Sequence, residues 1–298
     1  MRIATNAVSE SIVRQIQKLG TQQSKLQQQV ATGQKIIQAE DDPAAMGRVL
    51  NIESEQRQVA QFGRNANRAL ELSQVSFSGL QQIKKVSDRA TEIGTLGSGT
   101  INAASAKAYA SEVDQLIEQT AQLANSKFRQ DFLFAGTAVD RAPFALTRDF
   151  AGKVTGVEYE GNAERTAIAL SPNSSLAPGA SPQTNLGLRD FIRQLVQLRD
   201  ALTQNDGTAV STTQSDLVAS EDLLVSALAD QGGIQTRIEA SQTQQNTRAD
   251  NLEALLSGEA DADLPSAIVK LNQAQTAYQA ALQSAANIMK ISLLDYIR

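Results

Sequence analysis

The chain has 298 residues, 41% hydrophobic but only 4% aromatic, with no Trp and a formal net charge of −5. It contains neither Cys nor His, which excludes disulfides, thiolate chemistry and Cys-type zinc sites and removes the commonest general base and transition-metal ligand. With no Gly-rich phosphate loop either, the composition predicts no enzyme, no catalytic residue, no metal and no cofactor; the acidic balance argues against nucleic acid, and no apolar run reaches the roughly 18–20 residues of a membrane span.

Taken in chain order, residues 8–37 read as a helix. Ile12, Ile16, Leu19, Leu26 and Val30 recur at 4-3 spacing and continue through Gly33 to Ile37. Such spacing draws one apolar stripe along a helix, and a single stripe needs a partner to bury it. Gly33 and Gln38-Ala39-Glu40 interrupt the pattern. Asp41, Asp42 and Pro43 then form a helix start: Asp42 can cap, both carboxylates suit the positive end of the dipole, and Pro43 fits the first helical position. From there a helical pattern runs to about Leu96, with a register slip near Leu80, until Gly94, Gly97 and Gly99 break it. A third helix is predicted over 103–128.

The composition shifts over 131–185, where Gly and Pro accumulate. Val154, Val157 and Tyr159 precede Gly161-Asn162, and Thr166, Ile168 and Leu170 follow, which predicts a β-hairpin about that turn and a loop over 171–185. Gly136 reads as a turn residue, and Phe132 and Phe134 as local packing, with a subunit contact as the alternative. Helical pattern resumes at 188–202 and 217–228 and breaks at Gly232-Gly233. Ile234, Ile238, Leu252 and Leu255 then share a register whose intervening positions are the polar Ser241, Gln245 and Arg248. A break over 258–263 precedes Leu264-Pro265, which opens the last helix. That helix carries a second stripe at Ile268, Leu271, Tyr278, Leu282, Ala285 and Met289, with Ile288, Leu293 and Leu294 also apolar.

The pattern predicts a mainly α fold: a long helical rod whose N- and C-terminal helices pack together as a coiled coil, with a small β-rich insertion at the far end. The expected division is 1–40 with 262–298 as a terminal coiled-coil domain, 41–135 with 186–261 as a helical domain, and 136–185 as a β-rich outer domain. Positive charge gathers at the ends: Arg2, Arg14, Lys18, Lys25 and Lys35 stand against Glu10, and Lys270, Lys290 and Arg298 against Asp295. Solvated helix faces account for this; a pairing of basic ends with acidic surfaces of neighbouring copies is the sharper alternative. No signal peptide is visible in MRIATNAVSE, so the expectation is a cytosolic chain or one exported without such a signal.

Four segments carry a resemblance. MRIATN at the start, LQQQVATGQKIIQAEDDPAA (Leu26 to Ala45), FLFAGT (Phe132 to Thr137) and the closing SLLDYIR (Ser292 to Arg298) resemble the flagellin superfamily, and within it the hook–filament junction branch. Flagellins commonly carry Asp-Asp-Ala-Ala-Gly where this chain has Asp41-Asp42-Pro43-Ala44-Ala45, and FLFAGT favours the junction branch too. The resemblance implies a structural subunit joining hook to filament, located outside the cell on the bacterial flagellum and exported by the flagellar type III pathway without a cleaved signal peptide. It implies a homo-oligomeric ring, with the first hook-associated protein, flagellin and an export chaperone as partners, and no nucleic acid or membrane. The assembly interface would comprise Ile12, Ile16, Leu19, Leu26, Val30, Ile37, Ile268, Leu271, Tyr278, Leu282, Ile288, Leu293 and Leu294. A filament subunit and a cytosolic coiled-coil scaffold are the alternatives.

Overall fold

The computed structural model describes the backbone of residues 2–296 and the side chains of residues 10–288. The fold is mainly α, 72% helical. Its six described helices are α1 (Arg2–Thr32), α2 (Pro43–Gly97), α3 (Ala103–Ala124), α4 (Pro182–Gln204), α5 (Gly207–Ala260) and α6 (Leu264–Tyr296). Between α3 and α4 lie the short strands β1 (Lys127–Phe128), β2 (Asp131–Phe132), β3 (Phe144–Arg148), β4 (Val154–Tyr159), β5 (Ile168–Ser171) and β6 (Ser174–Leu176), paired antiparallel as β1–β2, β3–β4 and β5–β6.

Several boundaries depart from expectation, each for a local reason. Helix α1 stops at Thr32, because Gly33 turns left-handed at φ 72°. Ile37 therefore lies beyond the helix, and its neighbour Ile36 is the buried one. Helix α3 ends at Ala124, where Asn125 exchanges hydrogen bonds with Phe144: its Nδ2 donates to the Phe144 carbonyl at 2.9 Å and its Oδ1 accepts the Phe144 N–H at 3.0 Å. The hairpin about Gly161-Asn162 does not form. Asn162 is engaged with FLFAGT instead, its N–H donating to the Ala135 carbonyl at 3.2 Å and its Oδ1 accepting from the Thr137 N–H at 2.8 Å. Strand β4 thus pairs backwards with β3, and β5 pairs forwards with β6, inside the segment expected to be loop. Gly136 is the turn residue anticipated, with φ 70°. Helix α5 runs unbroken through Gly232-Gly233, since burial of the residues around them outweighs a cost of about 1 kcal/mol per glycine.

Two compact units make up the chain: residues 1–58 with 248–298, and residues 59–247. In the second, α2 presents one heptad seam without a slip. Ala66, Ala69, Ser73, Ser76, Leu80, Ile83, Ser87 and Ala90 keep 3-4 spacing and are all buried. The slip expected near Leu80 came from following large side chains only; Ala and Ser hold the missing positions. Helix α5 carries a matching seam through Val210, Thr213, Leu217, Ser220, Leu224, Ala227, Gln231, Ile238 and Gln245. Its polar members have partners, as buried amides require. Gln231 Nε2 donates to the Pro178 carbonyl at 3.3 Å and its Oε1 accepts from Ser73 Oγ at 2.8 Å, while Gln245 Nε2 donates to the Leu170 carbonyl at 2.9 Å. These side chains fasten the strand-bearing segment to the helices. Helices α3 and α4 pack on each other, and the fully buried Phe134, Phe144 and Phe191 join the same core. Buried Arg199 ties β4 in, donating to the Val154 carbonyl at 2.6 Å and pairing with Asp114 and Asp200 at 3.1 and 2.7 Å.

Candidate functional site: the paired terminal helices

The first unit holds α1, the start of α2, the end of α5 and α6. Helices α1 and α6 run antiparallel as a pair. Along α1 the inward column is Ile12, Ile16, Leu19, Gln23, Leu26 and Val30. Along α6 it is Ala267, Leu271, Ala274, Tyr278, Ala281 and Ala285, again at 4-3 spacing. The small residues set the distance: alanine lets the backbones approach, and Tyr278 lies over Gly20, where an added Cβ would meet the ring at 3.6 Å.

The seam is thinly covered. Leu26 and Ala285 are each 9% exposed. Ile12, Ile16, Leu19, Val30, Leu271 and Tyr278 are only half-buried. Where Ala281, Ser284 and Ala285 face Ile12, Gln15 and Ile16, a groove of about 190 Å³ is left open, with Ile288 at its edge. Two helices can cover only one side of each other, so an apolar column wider than the contact stays wet.

The expected interface residues divide accordingly. Ile12, Ile16, Leu19, Leu26, Val30, Leu271 and Tyr278 lie on the facing columns. Ile268 and Leu282 do not: they are 45% and 43% exposed, one residue round from the inward-facing Ala267 and Ala281. Leu271, Tyr278 and Ala285 of the expected stripe are on the inward column, while Ile268 and Leu282 belong to the neighbouring one; a heptad count admitting alanine puts Ala267 and Ala281 in their places. Ile37 sits half-buried in the loop after α1. The side chains of Leu293, Leu294 and Met289 lie outside the described residues. Leu255, placed in the α5 register, is exposed.

The base of the pair is closed by polar contacts that hydrophobic spacing cannot reveal. The Lys35 N–H donates to the Ala260 carbonyl at 2.6 Å and the Ala262 N–H to the Gly33 carbonyl at 2.8 Å, so the loops leaving α1 and α5 form a small bridge. Asp42 caps α2, its Oδ1 accepting the Ala45 N–H at 2.9 Å, and Pro43 is the first helical residue. Asp41 has a different task from the dipole role expected of it. It takes the Lys25 ammonium at 2.6 Å and the N–H groups of Ile37 and Gln38 at 3.2 Å each, which pins the loop to α1. Lys25 and those N–H groups hold its carboxyl below the usual range. Arg48 grips Glu259 through two hydrogen bonds of 3.0 and 2.9 Å, depressing that carboxyl as well, and Arg248 pairs with Glu55. No described group of three or more acidic residues could hold a metal ion. The site offers apolar surface and fixed helix geometry rather than reactive groups.

The profile of the bacterial flagellin N-terminal helical region matches residues 3–139. Over 99% of both chains, the sequence is 22% identical to flagellar hook-associated protein 3 of Escherichia coli strain K12. A solved structure from Vibrio parahaemolyticus, provisionally assigned to the flagellar hook-associated proteins, covers 74% of this chain and all of its own, with a TM-score of 0.67 and 16% identity. The crystal structure of Bacillus cereus FlgL covers 70% of this chain and 99% of its own, with a TM-score of 0.61 and 17% identity. At those identities the two structures establish the fold.

Proposed function

We propose that this chain, a flagellin-like protein of the hook-associated type, is a structural subunit that joins hook to filament in the bacterial flagellum. The observation that carries the reading is the half-covered α1–α6 seam in a chain that resembles hook-associated protein 3 from end to end. In an assembled ring, the open groove and the outer column through Ile268 and Leu282 take apolar side chains from neighbouring copies. Each large side chain so buried contributes roughly 1.5–3 kcal/mol, and the entropy of ordering two helices is met when copies meet. The strand-bearing segment 136–185 serves as an outer module and the helices 41–135 and 186–261 as its support. The first hook-associated protein lies on one side of the ring and flagellin on the other. Export through the flagellar channel, with a chaperone covering the terminal seams, accounts for apolar ends that the monomer does not bury.

Deletion of the gene tests this reading. The expected result is a completed hook, no attached filament, and flagellin monomer shed into the medium; attached filaments of normal length would overturn it. The filament-subunit reading draws on the match of residues 3–139 to the bacterial flagellin N-terminal helical region. Copy number separates them: one ring's worth of chain per flagellum supports the junction, and a number that scales with filament length supports the filament.

A further inference from the structure

The β3–β4 hairpin ends in Asp149-Phe150-Ala151-Gly152-Lys153, and its tip is held from several directions. Asp149 Oδ1 accepts the N–H groups of Ala151 and Lys153 at 2.9 Å each. The Asp149 N–H donates to the Lys153 carbonyl at 2.9 Å, the Gly152 N–H returns to the Asp149 carbonyl at 3.0 Å, and Gly152 adopts φ 81°. On the flanks Arg148 pairs with Glu118, and Lys153 pairs with Asp114 at 2.9 Å. At the apex of this turn Phe150 is fully exposed. A lone apolar residue on a surface needs no explanation. A phenylalanine displayed on a turn whose backbone is already fixed by hydrogen bonds is a different object, since the turn itself need not be ordered when a partner arrives, and aromatic anchors dominate interfaces.

The same unit contains a groove of about 350 Å³ walled by half-buried Leu72, Phe132, Val139 and Ile168. That volume is at the small end for a binding site and suits one aromatic side chain rather than a helix. Arg68 and Arg165 stand at its wall, against one acid, Asp131. Neither arginine has a carboxylate partner among the described residues; Arg165 donates to the carbonyls of Ala177 and Gly179. The Lys127 ammonium, 4.3 Å from the Phe132 ring centre, adds positive charge. The hairpin tip supplies the complement, because Asp149 has no cationic partner among the described residues. The groove is out of reach of its own tip. The hairpin's base, where Phe144 pairs with Tyr159, sits against the FLFAGT segment, with the Tyr159 hydroxyl donating to the Phe134 carbonyl at 3.0 Å. Phe150 is about 20 Å further along the strand.

We propose that Phe150 of one copy seats in the Leu72–Phe132–Val139–Ile168 groove of a second copy, with Asp149 facing Arg68 and Arg165. Tip and groove are different patches of one chain, so each copy offers one of each. Such a contact repeats head to tail and closes into a ring or continues as a helix. It rests on the reading that copies stand side by side, but it uses none of the terminal helices.

The absence of native cysteine makes the test clean. In cells whose only copy is Ala151→Cys/Thr166→Cys (Ala151 being exposed beside Phe150 in the turn, and Thr166 an exposed residue of the groove rim), mild oxidation of isolated flagella is expected to give a covalent ladder of dimers, trimers and larger species. Neither single variant should give one. Phe150→Ala is expected to lower retention of the chain in flagella roughly tenfold or more, with Phe150→Trp retaining it. A double variant present in flagella without a ladder overturns the contact, and so does a tip-to-tip dimer of Ala151→Cys alone. Loss of Phe150→Ala from flagella supports it where circular dichroism shows that variant folded, and retention of Phe150→Ala at the level of the unmodified chain overturns it. Absence of the unmodified chain from flagella would sink the junction reading itself, a separate result.

Discussion

The α1–α6 pair and the helical core of residues 59–247 are written in the same heptad grammar, yet they bury it to different depths. In the core, Leu80, Ile83, Ile93, Leu217 and Ile238 are fully covered, because α2 and α5 are joined by α3, α4 and the strand-bearing segment. In the terminal pair, each helix has a single partner, and its large residues remain half-wet. Burial depends on how many layers surround a stripe, not on the stripe alone. A seam left half-covered in one copy is a seam that further copies can complete.

The largest expected effect sharpens this contrast from the core side. Phe191→Ala removes a fully buried ring and should destabilise the 59–247 unit by about 3–5 kcal/mol, read as a shift of the denaturant midpoint. Gly136→Ala comes next. Its φ of 70° disfavours a side chain, and an added Cβ would collide with Asn162 and with the Glu164 carbonyl; a loss of about 2 kcal/mol or more is expected in the same measurement.

Ile16→Ala probes the other side. In dilute monomer it should cost well under the roughly 2–5 kcal/mol of a core truncation, because the side chain is only half-buried, while motility and filament attachment are lost. A monomer destabilised as much as by Phe191→Ala would break the comparison, since it would mean that the terminal seam is already a finished core.

The smallest effect is on pH. Asp41 and Glu259 in the first unit, and Glu112 and Glu118 in the second, have carboxyls depressed by Lys25, Arg48, Arg89 and Arg148 respectively. A folded-state pKa below the unfolded value stabilises fully above the ordinary value, 4.5 for the glutamates, and that contribution is lost as pH falls through the depressed folded pKa. Thermal unfolding should therefore be flat above about pH 5 and decline below it. Glu259→Gln should reduce the acid slope for the terminal unit and Glu112→Gln for the other; equal slopes in all variants would remove these pairs from the account.

Much of this was legible from residue order. The helical stripes, the Asp42-Pro43 helix start, the turn at Gly136 and the strand-rich composition after residue 131 all follow from local spacing and from the backbone limits of Gly and Pro, which act within a few residues. Pairing of strands did not follow, because Asn162 had two outlets for its hydrogen bonds and the distant Ala135 and Thr137 took them. Nor did the continuity of α5 through Gly232-Gly233, or the places of Ala267, Ala274 and Ala281 on the inward column of α6, since alanine, serine and glutamine enter a seam only when a facing helix or a stray carbonyl gives them a reason to be there. Local chemistry settled which segments could be helix and where they could end. Packing, which sums contacts between residues far apart in the chain, chose which face went inward and which stayed open.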